Sequence, residues 1–357
     1  MLKSFWKDKE KLYYIFAAVV FLIAVVLLVY FVRGQRSILQ GDGSFGMESS
    51  TSTAQVLGCP YKSRLTGECV ASENDVVAPL VGVMIENFVD ARPQAGVAQA
   101  SVVYEAPAEG NITRFLAIFE KNSEVKKAGP LRSARPYYLD FISEYPGAMY
   151  MHVGGSPEAL EKIYAYKIFD VNEFYKGLYF WRDENKFAPH NVFSSSDLWN
   201  SAYEKFADKN VSVNFEPWNF SDATTTCAHD CALQIEIPFL LPSYNIVWKY
   251  NPDTLKYDRF HGRVAHIDSE GNPVRANTVV VQHVTDKILD DVGRRALGTL
   301  GSGKAEVYVL GNKIEGTWKK DSRSARTKFL DASGHEIGFA AGKIWIEVVP
   351  QNIFVKN

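Results

Sequence analysis

An unbroken apolar run with no charged residue occupies residues 13–32. At a rise of about 1.5 Å per residue, a helix of this length matches a hydrocarbon core of roughly 30 Å, whereas the apolar part of a cleavable signal usually has only about 7–15 residues. The run therefore predicts one transmembrane helix over residues 13–32. A removed signal peptide is the alternative, although no small-x-small cleavage site follows the run.

The basic residues on either side of the run predict its orientation. Four lysines precede it and two arginines follow it closely: Lys3, Lys7, Lys9, Lys11, Arg33 and Arg36. Because cytoplasmic flanks carry the excess of positive charge, residues 1–12 are expected to be a cytoplasmic tail. We therefore expect a single-pass protein of the cell membrane whose C-terminal domains are extracytoplasmic.

The rest of the chain is large enough for more than one hydrophobic core. Hydrophobic residues make up 46% of the sequence and aromatic residues 13%, which is ample for packed cores, and the stretch after residue 75 exceeds what one core usually serves. We expect a flexible extracytoplasmic linker and then two domains. Their predicted bounds are 33–75 for the linker, 76–216 for an N-terminal domain and 217–357 for a C-terminal domain.

The two predicted domains differ in their pattern. In the first, apolar strand-like runs such as residues 80–85 and 112–119 alternate with helix signals, of which Ser156-Pro157-Glu158 is the strongest. After Pro217, short strand-like segments are separated by turns. The expected fold class is α+β: a mixed α/β domain, followed by a mostly antiparallel β domain.

Net charge and glycine motifs exclude two classes of function. A net charge of −2 without a basic arm or stripe gives no electrostatic footprint for nucleic acid, so no nucleic-acid partner is expected. Gly154-Gly155 and Gly301-Ser302-Gly303 lack the spacing of phosphate loops and of dinucleotide fingerprints. We therefore expect no cofactor.

The four cysteines form two local pairs, Cys59 with Cys69 and Cys227 with Cys231. Outside the cytoplasm, an even number of cysteines in local pairs indicates two disulfides. Zinc bound by the second pair and His229 is the alternative, but a fourth ligand is not evident, so no metal is expected.

Arginines are the sharpest indication of a binding site. Arg132 and Arg135 lie three residues apart around the predicted start of a helix, where free backbone N–H groups also favour an anion. Guanidinium groups bind carboxylate or phosphate in a bidentate way, so these two, with Arg114 and Arg92, could form a pocket for an acidic group. The alternative is structural: Arg132 could pair with Glu105 or Glu109, and Arg135 with Asp140.

Histidines provide the candidates for proton transfer. His152 ends a predicted strand just before a glycine turn, and His190 precedes Asn191 in a predicted tight loop. Ser156 could be a nucleophile, but a serine before proline is more economically a helix N-cap. The catalytic candidates are therefore His152, His190 and Ser156. The candidate ligand-binding residues are Arg92, Glu105, Arg114, Arg132, Arg135, His152, His190 and Asn191.

Several motifs resemble one known family. They include Ala91-Arg92-Pro93-Gln94, Ile112-Thr113-Arg114-Phe115, Gly129-Pro130-Leu131-Arg132-Ser133-Ala134-Arg135-Pro136 and Gly342-Lys343-Ile344-Trp345-Ile346. Together they resemble the YerB-like lipoprotein family, known by its domain of unknown function 3048. The resemblance implies a bacterial envelope protein with an N-terminal and a C-terminal domain, usually lipid-anchored, with no established activity. This chain departs in its anchor, because Cys59 lies too far beyond the apolar run for a lipoprotein signal.

The leading functional hypothesis is a membrane-anchored envelope protein that binds an anionic ligand in its N-terminal domain. The ligand would be a cell-wall fragment, a peptide or a phosphate-bearing polymer. One alternative is an extracytoplasmic hydrolase or transferase that acts on cell-wall material through His152 and His190. Another is a scaffold for a second membrane protein.

Overall fold

The structure, a computed structural model, describes residues 59–221, 227 and 231–357. The predicted cytoplasmic tail, the predicted transmembrane helix and the linker up to residue 58 lie outside these residues. Among the helices within these ranges, none is long and apolar enough to cross a membrane. Residues 59–357 form one compact unit by themselves.

Short helices and mostly buried strands alternate in the first part of this unit. Its elements are β1 (Leu80–Glu86), β2 (Val102–Pro107), β3 (Thr113–Glu120), α1 (Pro136–Ile142), β4 (Met149–His152), α2 (Pro157–Ala165), β5 (Asp170–Asn172), β6 (Trp181–Arg182), β7 (Val192–Phe193) and α3 (Ser196–Phe206). Two helices start where capping serines predict. Ser156 accepts a hydrogen bond from the Ala159 backbone N–H at 3.3 Å, and Ser195 caps α3 in the same way.

The second part of the unit is built from strands, as the short apolar segments and turns predict. They are β8 (Gln234–Pro238), β9 (Asn245–Asn251), β10 (Lys256–His261), β11 (Val264–Ala265), β12 (Arg275–Ala276), β13 (Thr278–Val284), β14 (Asp286–Ile288), β15 (Arg295–Leu297), β16 (Gly301–Val309), β17 (Asn312–Lys320), β18 (Lys328–Asp331) and β19 (Ile344–Pro350). The mixed α+β composition is therefore present, with few helices and many strands.

One ten-stranded sheet contains strands from both parts, in the order β18-β17-β16-β13-β19-β2-β3-β1-β4-β5. The two parts meet where β19 pairs in parallel with β2, which places Ile344 opposite Val102 and Glu347 opposite Glu105. The main sheet therefore continues across the predicted domain boundary at residue 216. A smaller sheet contains β8–β12, and β14 pairs with β15 as a separate hairpin.

Both faces of the main sheet are covered, which explains why its central strands are apolar throughout. On one face, Val83 and Trp345 pack in a core with Trp199 of α3 and Trp248 of the smaller sheet. On the other face, a second core contains Phe141 of α1 and residues from α2. Each core draws residues from both parts of the chain.

Residues 59–75 pack on this unit, although the sequence analysis assigned them to the linker. Leu65 is buried, and the Ser63 hydroxyl donates a hydrogen bond to Glu120 at 2.6 Å. The predicted disulfide between Cys59 and Cys69 is present. Cys227 and Cys231 are likewise joined as a disulfide. This is the pairing that the sequence predicts, with zinc binding as its alternative.

Candidate functional site

A cavity of about 650 Å³ opens where β1 ends and β3 begins. The antiparallel register places Glu86, the last residue of β1, opposite Arg114, and both residues line the cavity. The complete lining is Glu86, Phe88, Glu109, Ile112, Thr113, Arg114, Arg132, Ser133, Arg135, Gly155, Ser156, Pro157, Pro189, His190, Val292 and Arg294. Four arginines and only two glutamates make this cavity electropositive.

The loop of residues 129–135 crosses the end of the sheet and forms one wall. Its backbone is held to β1, because the Glu86 N–H donates to the Pro130 carbonyl and the Arg132 N–H donates to the Met84 carbonyl. Arg132 and Arg135 both line the cavity. Both arginines precede α1, which begins at Pro136 and has only seven residues. Their guanidinium groups therefore extend from the segment before the helix and not from its first turn.

Glu86 holds two other cavity residues in place. Arg132 Nε lies 3.0 Å from one carboxylate oxygen, and His190 Nδ1 lies 2.8 Å from the other. The imidazole of His190 is stacked on Phe88, with 5.1 Å between the ring centroids. One buried carboxylate therefore fixes a guanidinium and an imidazole at the cavity wall. The sequence analysis did not identify Glu86 as a site residue.

Arg135 has a carboxylate partner of its own. Its guanidinium binds Glu109 with two hydrogen bonds, of which the Nη2–Oε2 distance is 2.7 Å. Burial opposes ionisation of Glu109, but the bond and the charge of Arg135 outweigh it and lower the pKa of Glu109. Arg132 and Arg135 thus form ion pairs, but with Glu86 and Glu109 and not in the combinations Arg132–Glu105 or Arg135–Asp140.

Arg114 is the exception among the cavity arginines. Only 8% of its surface is exposed, and its Nη1 donates to the Ser133 carbonyl at 2.6 Å. Among the described residues, no carboxylate lies within 4.0 Å of this guanidinium. Burial, and then the nearby Arg135 cation, lower the pKa of Arg114. The cavity therefore contains a largely buried cation that has no ion-pair partner among the described residues and only the more distant charge of Glu109 to offset it, which is costly unless an anion binds.

The opposite wall of the cavity comes from the second part of the chain. The β14–β15 hairpin contributes Val292 and Arg294. Arg295 attaches this hairpin to the first part, since its Nε donates to the Ala108 carbonyl at 3.1 Å and its Nη2 donates to Asn111. The cavity is thus complete only when both parts of the chain are folded together.

His152 does not line this cavity. It is fully buried, with Nδ1 donating to the Gly154 carbonyl at 2.7 Å and Nε2 at 3.4 Å from Asp170. Burial alone would raise the pKa of Asp170, but the hydrogen bond and charge of His152 lower it overall. Ser156 lines the cavity, but its hydroxyl accepts the Ala159 N–H as the N-cap of α2. The structure therefore does not bring His152 and His190 together at one accessible surface.

Three other candidate ligand-binding residues also lie outside the cavity lining. The Arg92 guanidinium donates to Asn87 and to the Ser243 carbonyl. Burial, followed by repulsion from Arg259, lowers the pKa of Arg92 to about 10. Asn191 accepts a hydrogen bond from Arg182 on the surface. Glu105 is fully buried and accepts a hydrogen bond from Thr113 at 2.6 Å.

Glu105 belongs to a buried polar cluster at the junction of β2 and β19. Its partner is Arg259 of β10, at 2.5 Å, and Glu347 lies 4.0 Å from the same guanidinium. The Arg259 guanidinium also lies over the Trp345 ring, 4.7 Å from its centroid. Burial and then the charge of Glu105 raise the pKa of Glu347, which favours the protonated form of Glu347 beside this ion pair.

Two histidines in this cluster are held neutral. Arg259 Nη1 donates to His266 Nδ1 at 2.7 Å, so the proton of this imidazole is on Nε2, which donates to Gln94 at 3.0 Å. The same Nη1 lies 3.2 Å from His261 Nε2. Burial, and then the charge of Arg259, lower the pKa of both histidines. Protonation of either imidazole would remove an acceptor from a buried cation.

The lowered pKa of His266 predicts acid sensitivity. Above about pH 6.5, His266 is neutral in the folded and unfolded states. At lower pH the unfolded state binds a proton that the folded state excludes, so the free energy of unfolding falls by about 1.4 kcal/mol per pH unit from this histidine. The raised pKa of Glu347 has the opposite effect on the pH dependence of stability. The contribution of His266 is therefore measured by comparing variants. Urea unfolding of residues 59–357 between about pH 7 and 5 should show a slope shallower by this amount in His266→Gln.

His335→Gln is the matched control for this experiment, because His335 is exposed. An acid slope in His266→Gln that equals the control would show that His266 is protonated in the folded state.

The fold and the site define a class: an α+β protein in which two parts of the chain share one sheet and enclose an arginine-lined cavity. The chain belongs to the family of unknown function DUF3048. Residues 65–211 match "Protein of unknown function (DUF3048) N-terminal domain", and residues 235–346 match the C-terminal domain of the same family. Both matched regions contribute residues to the cavity lining.

Two comparisons with Bacillus subtilis proteins agree with this assignment. The chain is 30% identical over 303 residues to a protein of strain 168 named "Putative lipoprotein YerB", which covers 84% of this chain and 88% of the relative. The crystal structure of the YerB protein superposes with a TM-score of 0.73 at 29% identity, covering 83% of this chain and 99% of the YerB chain. The match therefore includes almost the whole of the crystallised YerB chain.

Proposed function

We propose that this protein is held at the outer face of the cell membrane and binds an anionic ligand in the cavity lined by Arg114, Arg132 and Arg135. The ligand would be a cell-wall fragment, a peptide or a phosphate-bearing polymer. The observation that carries the proposal is Arg114, a largely buried guanidinium with no carboxylate partner among the described residues. Groups with such perturbed surroundings in a cavity mark binding sites.

The location rests on two separate observations. The apolar run of residues 13–32 with its basic flank is typical of a single span that leaves the remaining chain outside. The relative's name describes a lipoprotein, a class of protein that is attached to the membrane through a lipid. The two disulfides also fit an oxidising compartment.

The surroundings of Arg114 support binding more than reaction. Arg132 and Arg135 already have carboxylate partners, so they orient the site and add positive potential, whereas Arg114 keeps donors free for a ligand. Gly155 and Ser156 at the start of α2 add the positive end of a nine-residue helix. The imidazole of His190 is engaged by Glu86, so this histidine is not a free general base for a ligand at Arg114.

The test replaces Arg114 with glutamine and measures binding of inorganic phosphate and of soluble peptidoglycan fragments by calorimetry. The unmodified residues 59–357 should bind at least one of these probes, and Arg114→Gln should bind it about 10- to 100-fold more weakly, since a hydrogen-bonded charge contributes about 1.5–3 kcal/mol. The variant should be at least as stable as the unmodified protein, because it removes an unpaired buried cation.

Arg275→Gln is the control, because Arg275 pairs with Asp258 at the surface, away from the cavity. It removes the same charge and should leave binding unchanged. If Arg114→Gln binds both probes as tightly as this control, the cavity is not the anion site. If Arg114→Gln instead unfolds more easily with unchanged binding, Arg114 has a structural role.

A further inference from the structure

Exposed apolar side chains occur on the segments that form the walls of the arginine-lined cavity. On the β14–β15 hairpin, Val292 lines the cavity and is 70% exposed. Leu289 is about half exposed, and its N–H donates to the carbonyl of Arg294, another lining residue. The wall contributed by the second part of the chain therefore presents aliphatic side chains to solvent.

The turn that carries His190 has the same character. The His190 N–H donates to the Phe187 carbonyl at 2.9 Å, and the Phe187 side chain is 91% exposed. Val89, which follows the lining residue Phe88, is also exposed. Neither side chain is needed for the hydrophobic cores, since neither belongs to them.

Phe174 adds an aromatic ring near a third wall. It lies against Gly154, where a Cβ atom would meet its ring at 2.7 Å, and Gly154 precedes the lining residue Gly155. The ring is two-thirds exposed. We call Val89, Phe174, Phe187, Leu289 and Val292 the apolar rim.

The cavity and the apolar rim have complementary chemical preferences. The cavity offers a guanidinium without a counter-ion, which favours an anionic group. The apolar rim offers hydrocarbon surface that water solvates poorly, next to the same opening. A ligand that satisfies both has an anionic head and an apolar tail. Walls rich in apolar side chains around a few polar groups are also usual for small-molecule sites of about 300–1,000 Å³.

We propose that the ligand is an anionic phospholipid, whose phosphate binds Arg114 and whose acyl chains lie on the apolar rim. This inference rests on the proposed function and adds to it the chemical class of the ligand. A protein anchored beside a bilayer, as proposed above, meets such lipids at high local concentration. The charge of the cavity selects the phosphate, and the apolar rim distinguishes a lipid from a free phosphate.

The experiment compares three probes, with residues 59–357 as the protein. They are glycerophosphoglycerol, dihexanoylphosphatidylglycerol below its micellar concentration, which carries the same phosphodiester head group, and vesicles of phosphatidylcholine with or without phosphatidylglycerol. We expect the short-chain lipid to bind at least about tenfold more tightly than glycerophosphoglycerol, because the chains add apolar contact. Vesicle binding should require phosphatidylglycerol.

Two double variants separate the apolar rim from general surface hydrophobicity. Phe187→Ser with Leu289→Ser, at two rim residues that do not line the cavity, should lose the tenfold advantage of the short-chain lipid and most of the vesicle binding, yet keep the affinity for glycerophosphoglycerol. Phe354→Ser with Val264→Ser is the matched control, because these side chains are 83% and 71% exposed and belong to other surfaces. The control should bind all three probes as the unmodified protein does.

The outcomes distinguish this inference from the proposed function. Equal affinity for glycerophosphoglycerol and the short-chain lipid, lost in Arg114→Gln, would overturn the lipid assignment and leave the anion site intact. Vesicle binding that is the same in the two double variants would also overturn it. Absence of binding to all three probes would overturn the lipid assignment, and the peptidoglycan fragments would then decide whether the anion site itself exists.

Discussion

Replacement of Arg259 by methionine is expected to lower the free energy of unfolding of residues 59–357 by about 3–5 kcal/mol. The reason is that the buried Glu105 carboxylate would lose its cation, while His261 and His266 would lose a common donor. Removal of one partner from a buried ion pair costs this much because the other charge stays uncompensated. Urea unfolding followed by tryptophan fluorescence measures the loss, since Trp248 and Trp345 are fully buried beside the guanidinium.

A surface arginine of the smaller sheet provides the control for this loss. Arg275→Met removes an exposed ion pair with Asp258 and should cost less than about 1 kcal/mol. The double variant Arg259→Met with Glu105→Gln should recover part of the stability, because no buried charge is then left unpaired. Equal losses for Arg259→Met and Arg275→Met would refute the proposed contribution of Arg259.

Replacement of Lys320 by methionine is expected to cost about 3 kcal/mol. Lys320 and Glu144 form a fully buried ion pair at 2.7 Å between the region after α1 and strand β17. Glu144 also accepts hydrogen bonds from the Thr327 hydroxyl and backbone N–H. Because these two bonds remain in the variant, the cost should fall below that of Arg259→Met.

Lys319 is the natural comparison for Lys320, since it precedes it in β17 and pairs with Asp321 at the surface. Lys319→Met should change the free energy of unfolding by less than about 1 kcal/mol. The measurement is again urea unfolding of residues 59–357. If both lysine variants are as stable as the unmodified protein, the buried pair does not hold the two parts of the chain together.

Local features of the fold were predictable from the sequence. Serine before proline marks the start of α2, and apolar runs mark β1 and β3, because capping and periodicity depend on neighbouring residues. The pairing of β19 with β2 was not predictable, since it joins residues about 240 positions apart. Without that pairing, the sequence gives no reason to place Arg259 beside Glu105.

Part of the candidate site was also predictable from local sequence signals. Arg114 lies at the start of an apolar strand, and Arg132 and Arg135 lie at a predicted helix start, which are local signals. These three arginines and His190 line one cavity. Glu86 was missed, although its position at the end of an apolar strand was a usable signal. The β14–β15 hairpin could not be placed at the cavity from the sequence, because it reaches there through contacts of Arg295 with residues of the other part.

The parallel junction of β2 and β19 also bears on how such chains evolve. If the two matched regions were separated onto different genes, each would present an open edge of apolar strand, 102–107 in one case and 344–350 in the other. Unprotected edges of that kind recruit other polypeptides and aggregate. Selection should therefore keep the two regions fused and co-inherited, and gene fission between them should be rare.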